Sequence, residues 1–151
     1  TLQWGTVYPK WFINFIKENN EKYNWLIRCH PVKDVMQYNF IKDVRNISNV
    51  YIDGIENLPI ELLLEYVNVH VTSSSSVIVD AAMVGKSSIM INQKFEKSFS
   101  KYIEKNILIT AFNANGLQEA IKMILDKKIV NKERVSTDAN LKYLLKLLEK
   151  K

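Results

Sequence analysis

Residues 67–92 read VNVHVTSSSSVIVDAAMVGKSSIMIN, and this stretch decides the fold. A β-branched run over 67–71 predicts a strand, and four small hydroxyl residues, Ser73–Ser76, follow it. A helical pattern comes next and ends at Gly85, and the apolar run 89–91 predicts a second strand. This order of strand, loop, helix and strand predicts a βαβ unit, in which the two strands are parallel.

The rest of the chain continues this alternation of strands and helices, about every 20 residues. Such alternation favours a parallel sheet that is covered by helices on both faces. We therefore predict that residues 1–151 form one doubly wound, Rossmann-like α/β domain with a parallel sheet of five or six strands. We predict further strands at 25–29, 50–52 and 107–110, helices at 9–22, 58–66, 116–127 and 137–150, a short amphipathic segment at 98–105, and an irregular loop with one helical turn at 32–44.

Length and composition are typical of a globular domain with a real core: the chain has 151 residues, of which 47% are hydrophobic and 25% charged. No apolar run reaches the roughly 18 residues that indicate a membrane span, and we expect a cytoplasmic protein. The single cysteine, Cys29, excludes an internal disulfide and argues against a cysteine metal cluster, so we predict no bound metal. Residues 1–4 resemble the end of a strand, and we expect the chain to be a piece of a longer protein.

The net charge is +5, and much of the excess lysine lies between Lys94 and Lys151. The simplest interpretation is a solvated surface. The alternative is attraction to an anionic ligand, or peripheral association with the anionic inner face of a membrane. The sequence has no dense cluster of basic residues interleaved with aromatics and no nucleic-acid-binding motif, so we expect no nucleic-acid partner.

The serines Ser73–Ser76 stand between a predicted strand and its helix, where parallel sheets bind ligands. Hydroxyls and backbone N–H groups at the start of a helix suit a phosphate or another anion. The alternative is structural: one serine caps the helix and the others fill a turn. The two interpretations are compatible, because a capping loop can also bind an anion.

Arg28, His30 and Pro31 follow another predicted strand. Arg28 offers a planar fork of donors for a phosphate, and His30 can donate a hydrogen bond or act as an acid or base near neutral pH. The alternative is that His30 caps the strand while Arg28 pairs with a nearby acid. Under the functional interpretation, His30 and residues 74–76 converge on one pocket at the carboxyl edge of the sheet.

Two other residues with functional chemistry have competing interpretations. Asp80 lies one helical turn after Ser76 and could accept hydrogen bonds from a ribose, or it could be an exposed acid near a positive helix end. His70 alternates with valines in a strand and is more typical of a packed core residue than of a catalyst. The sequence lacks GxGxxG, P-loop, GxSxG and HExxH motifs, and Gly85-Lys86-Ser87 falls at a helix end.

Three motifs together resemble the C-terminal nucleotide-binding domain of GT-B glycosyltransferases. They are Arg28-Cys29-His30-Pro31, Ser73-Ser74-Ser75-Ser76 and Asp80-Ala81-Ala82-Met83-Val84-Gly85-Lys86. The resemblance is closest to bacterial capsule and surface-polysaccharide enzymes, including CDP-glycerol glycerophosphotransferases and GT-B sialyl- and polysialyltransferases. In those families the histidine and paired hydroxyls contact the donor's phosphates, and the helix acid commonly holds the ribose.

The resemblance implies the donor-binding half of a glycosyltransferase or glycerophosphotransferase. His30 is the implied catalytic residue, and Arg28, Ser73, Ser74, Ser75, Ser76 and Asp80 are the candidate donor-binding residues; which two serines match the family's pair stays open. A nucleotide-sugar or CDP-linked donor would be the substrate, with no further cofactor. The acceptor would bind to an N-terminal domain, so this sequence does not identify the general base. The alternatives are a non-hydrolysing sugar-nucleotide epimerase and a non-catalytic nucleotide- or glycan-binding module.

Overall fold

The computed structural model describes residues 7–32 and 34–126, so the predicted strand at 1–4 and helix at 137–150 lie outside the described residues. Helices and strands alternate along the described chain, as predicted. The strands are β1 (Trp25–Leu26), β2 (Val50–Tyr51), β3 (His70–Thr72), β4 (Ser88–Met90) and β5 (Leu108–Thr110). The α-helices are α1 (Lys10–Glu18), α2 (Val35–Val44), α3 (Ile60–Tyr66), α4 (Val77–Met83), α5 (Ser100–Glu104) and α6 (Ala114–Leu125), with 3₁₀ turns at Ile55–Asn57 and Gln93–Phe99.

Every pair of neighbouring strands is parallel, which confirms the α/β class. β1 pairs with β2, and β3, β4 and β5 pair in that order, with His70 opposite Ser88 and Ser88 opposite Leu108. The described strands therefore form a two-stranded and a three-stranded sheet, whereas we had predicted one sheet of five or six strands. A channel of about 650 Å³ is lined by residues of both β1 and β3.

The two sheets nevertheless share one hydrophobic core. Ile27 and Val50 of the first sheet region and Ile89 of the second belong to the same cluster of buried side chains. Phe12 of α1 and Leu117 of α6 complete this cluster. Residues of both sheets therefore pack into one hydrophobic core.

The segment 32–44 is not the irregular loop that the sequence suggested, because α2 runs for ten residues from Val35 to Val44. The Asp34 side chain starts the helix by accepting a hydrogen bond from the backbone N–H of Gln37 at 2.8 Å. Only Phe40, Val44 and the polar Gln37 are buried on its inner face. A glutamine inside the apolar stripe weakens the periodicity from which a helix is recognised.

Other predicted boundaries move by a few residues for local reasons. α1 ends at Glu18 instead of continuing to residue 22. At this end, the side-chain amide of Asn19 donates a hydrogen bond to the Phe15 carbonyl at 2.9 Å. α6 begins at Ala114 instead of residue 116, because Asn113 accepts from the Gly116 N–H at 2.8 Å. β1, β2 and β5 are shorter than predicted. β3 lies toward the carboxyl end of its predicted run, and β4 lies toward the amino end of its run.

α4 stops abruptly, and this stop positions β4 beside β3. Gly85 has a φ of 72°, a left-handed conformation that glycine adopts without steric cost. The Gly85 N–H donates to the Ala82 carbonyl at 3.0 Å, and the Lys86 N–H donates to the Ala81 carbonyl at 2.8 Å. This pair of bonds is the Schellman arrangement, and it confirms the predicted helix end at Gly85. Within the described ranges, no helix combines the length and apolarity needed to cross a membrane.

Candidate functional site

The four serines form a tight loop between β3 and α4, which we call the serine loop (Ser73–Ser76). The Thr72 hydroxyl accepts a hydrogen bond from the Ser75 N–H at 3.2 Å, so the chain turns as soon as the strand ends. The Ser75 hydroxyl accepts from the Val77 N–H at 3.3 Å and caps the helix start. Ser76 occupies the N-cap position but makes no capping bond, and its side chain is exposed. One serine thus caps the helix, and its neighbours have other environments.

Ser73 connects the serine loop to the segment that follows β4. Its side chain is buried, and its hydroxyl oxygen accepts a hydrogen bond from the Asn92 side-chain amide at 3.1 Å. Asn92 follows β4, and its own side-chain oxygen accepts from the Lys94 N–H at 3.1 Å. Sequence reasoning missed Thr72 and Asn92 as parts of this site. The available signal for Asn92 was its position immediately after an apolar strand, where ligand-binding side chains of parallel sheets occur.

Ser74 differs from its neighbours, because its hydroxyl has no hydrogen-bond partner among the described residues although the residue is only 8% exposed. A buried hydroxyl without a partner destabilises a protein by about 1–3 kcal/mol. Buried polar groups in native proteins are nearly always paired, so an exception calls for an explanation. A ligand oxygen at this position would supply the missing partner.

Arg28 lies just beyond β1 and lines the channel between β1 and β3, as Thr72 does from the other side. Its Nε atom is buried and has no hydrogen-bond partner in the part of the chain that the structure describes. No ion pair to Arg28 occurs among residues 7–32 and 34–126 either, which disfavours its structural interpretation as the partner of a nearby acid.

His30 follows β1 in a turn that includes Pro31, and its ring is held by its own loop. The Val32 N–H lies 3.1 Å from the His30 Nδ1, while the Val32 carbonyl oxygen lies 3.3 Å from the same atom. A backbone N–H can only donate, so the shorter contact requires Nδ1 to accept. The neutral ring then carries its proton on Nε2. This Nε2–H donor has no partner among the described residues.

The turn around His30 is anchored by Gln37 of α2, which sequence reasoning also missed. The Gln37 side chain is 1% exposed; its Oε1 accepts from the His30 N–H at 2.8 Å, and its Nε2 donates to the Val32 carbonyl at 2.9 Å. The signal that could have revealed it was Asp34 three residues earlier, the spacing of a helix cap.

The two remaining candidates differ in their surroundings. Asp80 is half-buried on α4, and its carboxylate has no hydrogen-bond partner in the described part of the chain. His70 is 4% exposed, with Nδ1 2.9 Å from the Ser88 hydroxyl, and burial lowers its pKa well below the ordinary value. The interpretation of His70 as a packed core residue is confirmed.

The serines and His30 make separate sets of hydrogen bonds. Ser73–Ser76 are linked to each other and to Asn92, while no hydrogen bond joins His30 to these serines among the described residues. The same ranges contain no group of three His, Cys, Asp or Glu side chains arranged to hold a metal ion. No protein-family model, curated protein or solved structure matches this chain.

Proposed function

We propose that this chain is the donor-nucleotide-binding half of a glycosyltransferase or glycerophosphotransferase that acts in bacterial surface-polysaccharide synthesis. The observation that carries the proposal is the buried hydroxyl of Ser74, which follows β3 and has no hydrogen-bond partner among the described residues. It lies within the serine motif that resembles the donor-phosphate motif of GT-B enzymes. His30, in the second motif, supports the same chemistry, because the Val32 N–H donates to its Nδ1 and its Nε2 has no hydrogen-bond partner among the described residues.

The proposal includes one doubly wound sheet in place of two separate sheets. β1 and β3 line opposite sides of the channel, and Tyr8, just before α1, also lines it. In the proposed sheet the described strands would lie in the order β2, β1, β3, β4, β5, which is one of the common doubly wound orders.

In this order, the switch point of the sheet lies beside β3. Doubly wound sheets bind their ligands in the crevice at that point, outside the carboxyl ends of the strands. The loops that follow β1 and β3 carry His30 and the serines, so the proposed sheet would bring the two motifs to the same crevice. Asp80, one turn into α4, would accept hydrogen bonds from the ribose hydroxyls.

The proposed transfer reaction needs hydrogen-bond donors at the place where negative charge develops. Transfer breaks the bond between the donated group and the nucleotide's phosphate, and the leaving phosphate gains charge. Ser74, His30 Nε2–H and the Arg28 guanidinium are suitable donors to its oxygens. Because α4 has only seven residues, we assign binding to these side chains and not to the helix dipole. The N-terminal acceptor domain would supply the general base.

Donor titration of the full-length protein tests this function. CMP-, UDP- and CDP-linked donors would be incubated with and without a surface-glycan acceptor, and nucleotide release would be measured. We expect acceptor-dependent release from one donor class. Binding of a donor without any turnover would instead indicate a binding module. Inversion of the configuration of one sugar carbon in the nucleotide-sugar, without acceptor, would indicate an epimerase.

A further inference from the structure

We infer that Gln37 is a positioning residue that fixes the tautomer and orientation of the His30 imidazole. Gln37 touches neither the imidazole ring nor any of the serines through a hydrogen bond among the described residues; it acts through the backbone of the loop 30–32. Its importance for turnover rests on the proposed function, whereas its control of the ring depends only on the observed contacts.

The Gln37 amide can adopt only one orientation at this position. One of its ends meets a backbone donor, the His30 N–H at 2.8 Å, and the other meets a backbone acceptor, the Val32 carbonyl at 2.9 Å. A flipped amide would oppose two donors at one end and two acceptors at the other. The side chain is 1% exposed, so water cannot replace either bond readily.

These two bonds hold the chain on both sides of Pro31 at a fixed separation. The Val32 N–H is thereby placed 3.1 Å from the His30 Nδ1 and donates to it. The bond made by one ring nitrogen of histidine determines which nitrogen carries the proton. Gln37 therefore keeps the proton on Nε2, the nitrogen that has no partner among the described residues and is available to a phosphate oxygen.

The scaffold behind Gln37 is rigid enough for this role. Gln37 lies in the first turn of α2, where Asp34 accepts from its backbone N–H at 2.8 Å. One turn later, Phe40 is buried against the Tyr8 ring, with the ring centroids 4.6 Å apart. The helix cap and the aromatic contact therefore fix the position from which the side chain reaches the loop.

Histidine ¹⁵N chemical shifts test the inference directly. The chain contains two histidines, so His30→Gln assigns the His30 signals. At about pH 8, where free imidazole is mostly neutral, we expect the unaltered chain to show an unprotonated Nδ1 and a protonated Nε2. In Gln37→Met, which keeps the volume and removes both polar groups, the two shifts should move toward the exchange-averaged values of free imidazole.

Two further variants control for folding. Val44→Ala should lower stability from the other end of the same helix, where Val44 is buried, but leave the His30 shifts unchanged. Gln37→Glu keeps an acceptor for the His30 N–H and loses the donor to the Val32 carbonyl, so its His30 shifts should lie between those of the unaltered chain and Gln37→Met. This variant also replaces Gln37→Met if the latter fails to fold.

Unchanged His30 shifts in both Gln37 variants, or an equal change in Val44→Ala, would overturn the inference. In the full-length enzyme, we expect Gln37→Met to lower kcat on the order of tenfold, with a smaller effect on KM. Altered His30 shifts in a protein that turns over no nucleotide-linked donor would support the positioning role and refute the proposed function, so the two failures are distinguishable.

Discussion

Ser73 and Asn92 connect the carboxyl ends of β3 and β4 through a hydrogen bond of 3.1 Å. The backbone reinforces this connection, since the Ile91 N–H donates to the Thr72 carbonyl at 3.0 Å. These two hydrogen bonds hold the start of the serine loop beside the carboxyl end of β4. This relationship separates the serines into two kinds: Ser73 and Ser75 make bonds within the protein, whereas the Ser74 hydroxyl has no partner among the described residues.

We expect the contact between Ser73 and Asn92 to contribute to stability. Either Ser73→Ala or Asn92→Ala should lower the free energy of unfolding by about 1 kcal/mol, because each leaves the other polar group without its partner. The double variant should lose less than the sum of the two single losses. Urea unfolding of the four proteins measures this coupling, and strictly additive losses would show that the bond contributes nothing.

Ser74→Ala should have the opposite balance of effects. Removing a buried hydroxyl that has no protein partner should leave the free energy of unfolding unchanged or raise it by up to about 1 kcal/mol. The affinity for a nucleotide, measured from chemical-shift changes at residues 28–32 and 72–80, should fall about tenfold. Ser88→Ala is the matched control, because Ser88 is also buried but its hydroxyl lies 2.9 Å from the His70 Nδ1. It should lose stability and retain binding; a Ser74→Ala protein with full affinity would contradict the site.

His30→Ala in the full-length enzyme should lower turnover far more than it lowers stability. Loss of one donor aimed at developing negative charge raises the transition-state free energy by about 3 kcal/mol. Steady-state kinetics and the melting temperature together test this expectation. Unchanged kcat with a lower melting temperature would assign His30 a structural role.

Stability should fall in acid because of His70. Burial lowers the pKa of His70 in the folded state, so the unfolded chain binds a proton more readily. The contribution of the neutral ring is fully present above the unfolded pKa, at about pH 6.5, and is lost as the pH falls toward the lowered folded pKa. Unfolding free energies between about pH 8 and 5 should decline more steeply for the unaltered chain than for His70→Gln. Parallel curves would show that another group controls the acid sensitivity.

Much of the candidate site was predictable because its signals are local. The serine run, the helix after it and Gly85 lie within 13 residues of one another, and each follows from residue type and short-range periodicity. Arg28 and His30 were predictable for the same reason, as polar residues at the end of an apolar run. In the structure the serine loop directly follows β3, Arg28 lies two residues after β1, and Gly85 follows the end of α4.

The partners of these residues were not predictable in the same way. Asn92 reaches Ser73 from 19 positions away, and Gln37 reaches the His30 loop from a helix whose buried face contains a polar residue. Neither contact has a periodic signature, because a hydrogen bond between separate elements depends on where the elements pack. The His30 tautomer depends on these contacts in turn.

The sequence by itself determined the order of helices and strands, their parallel direction and the chemical type of the site residues, because backbone propensity and turn signals act over a few neighbouring residues. Only the tertiary structure decided which strands pair, which serine hydroxyl has no partner among the described residues and which backbone group the His30 ring contacts. Those features depend on the desolvation of polar atoms when elements distant along the chain pack together, and that is a property of the folded arrangement.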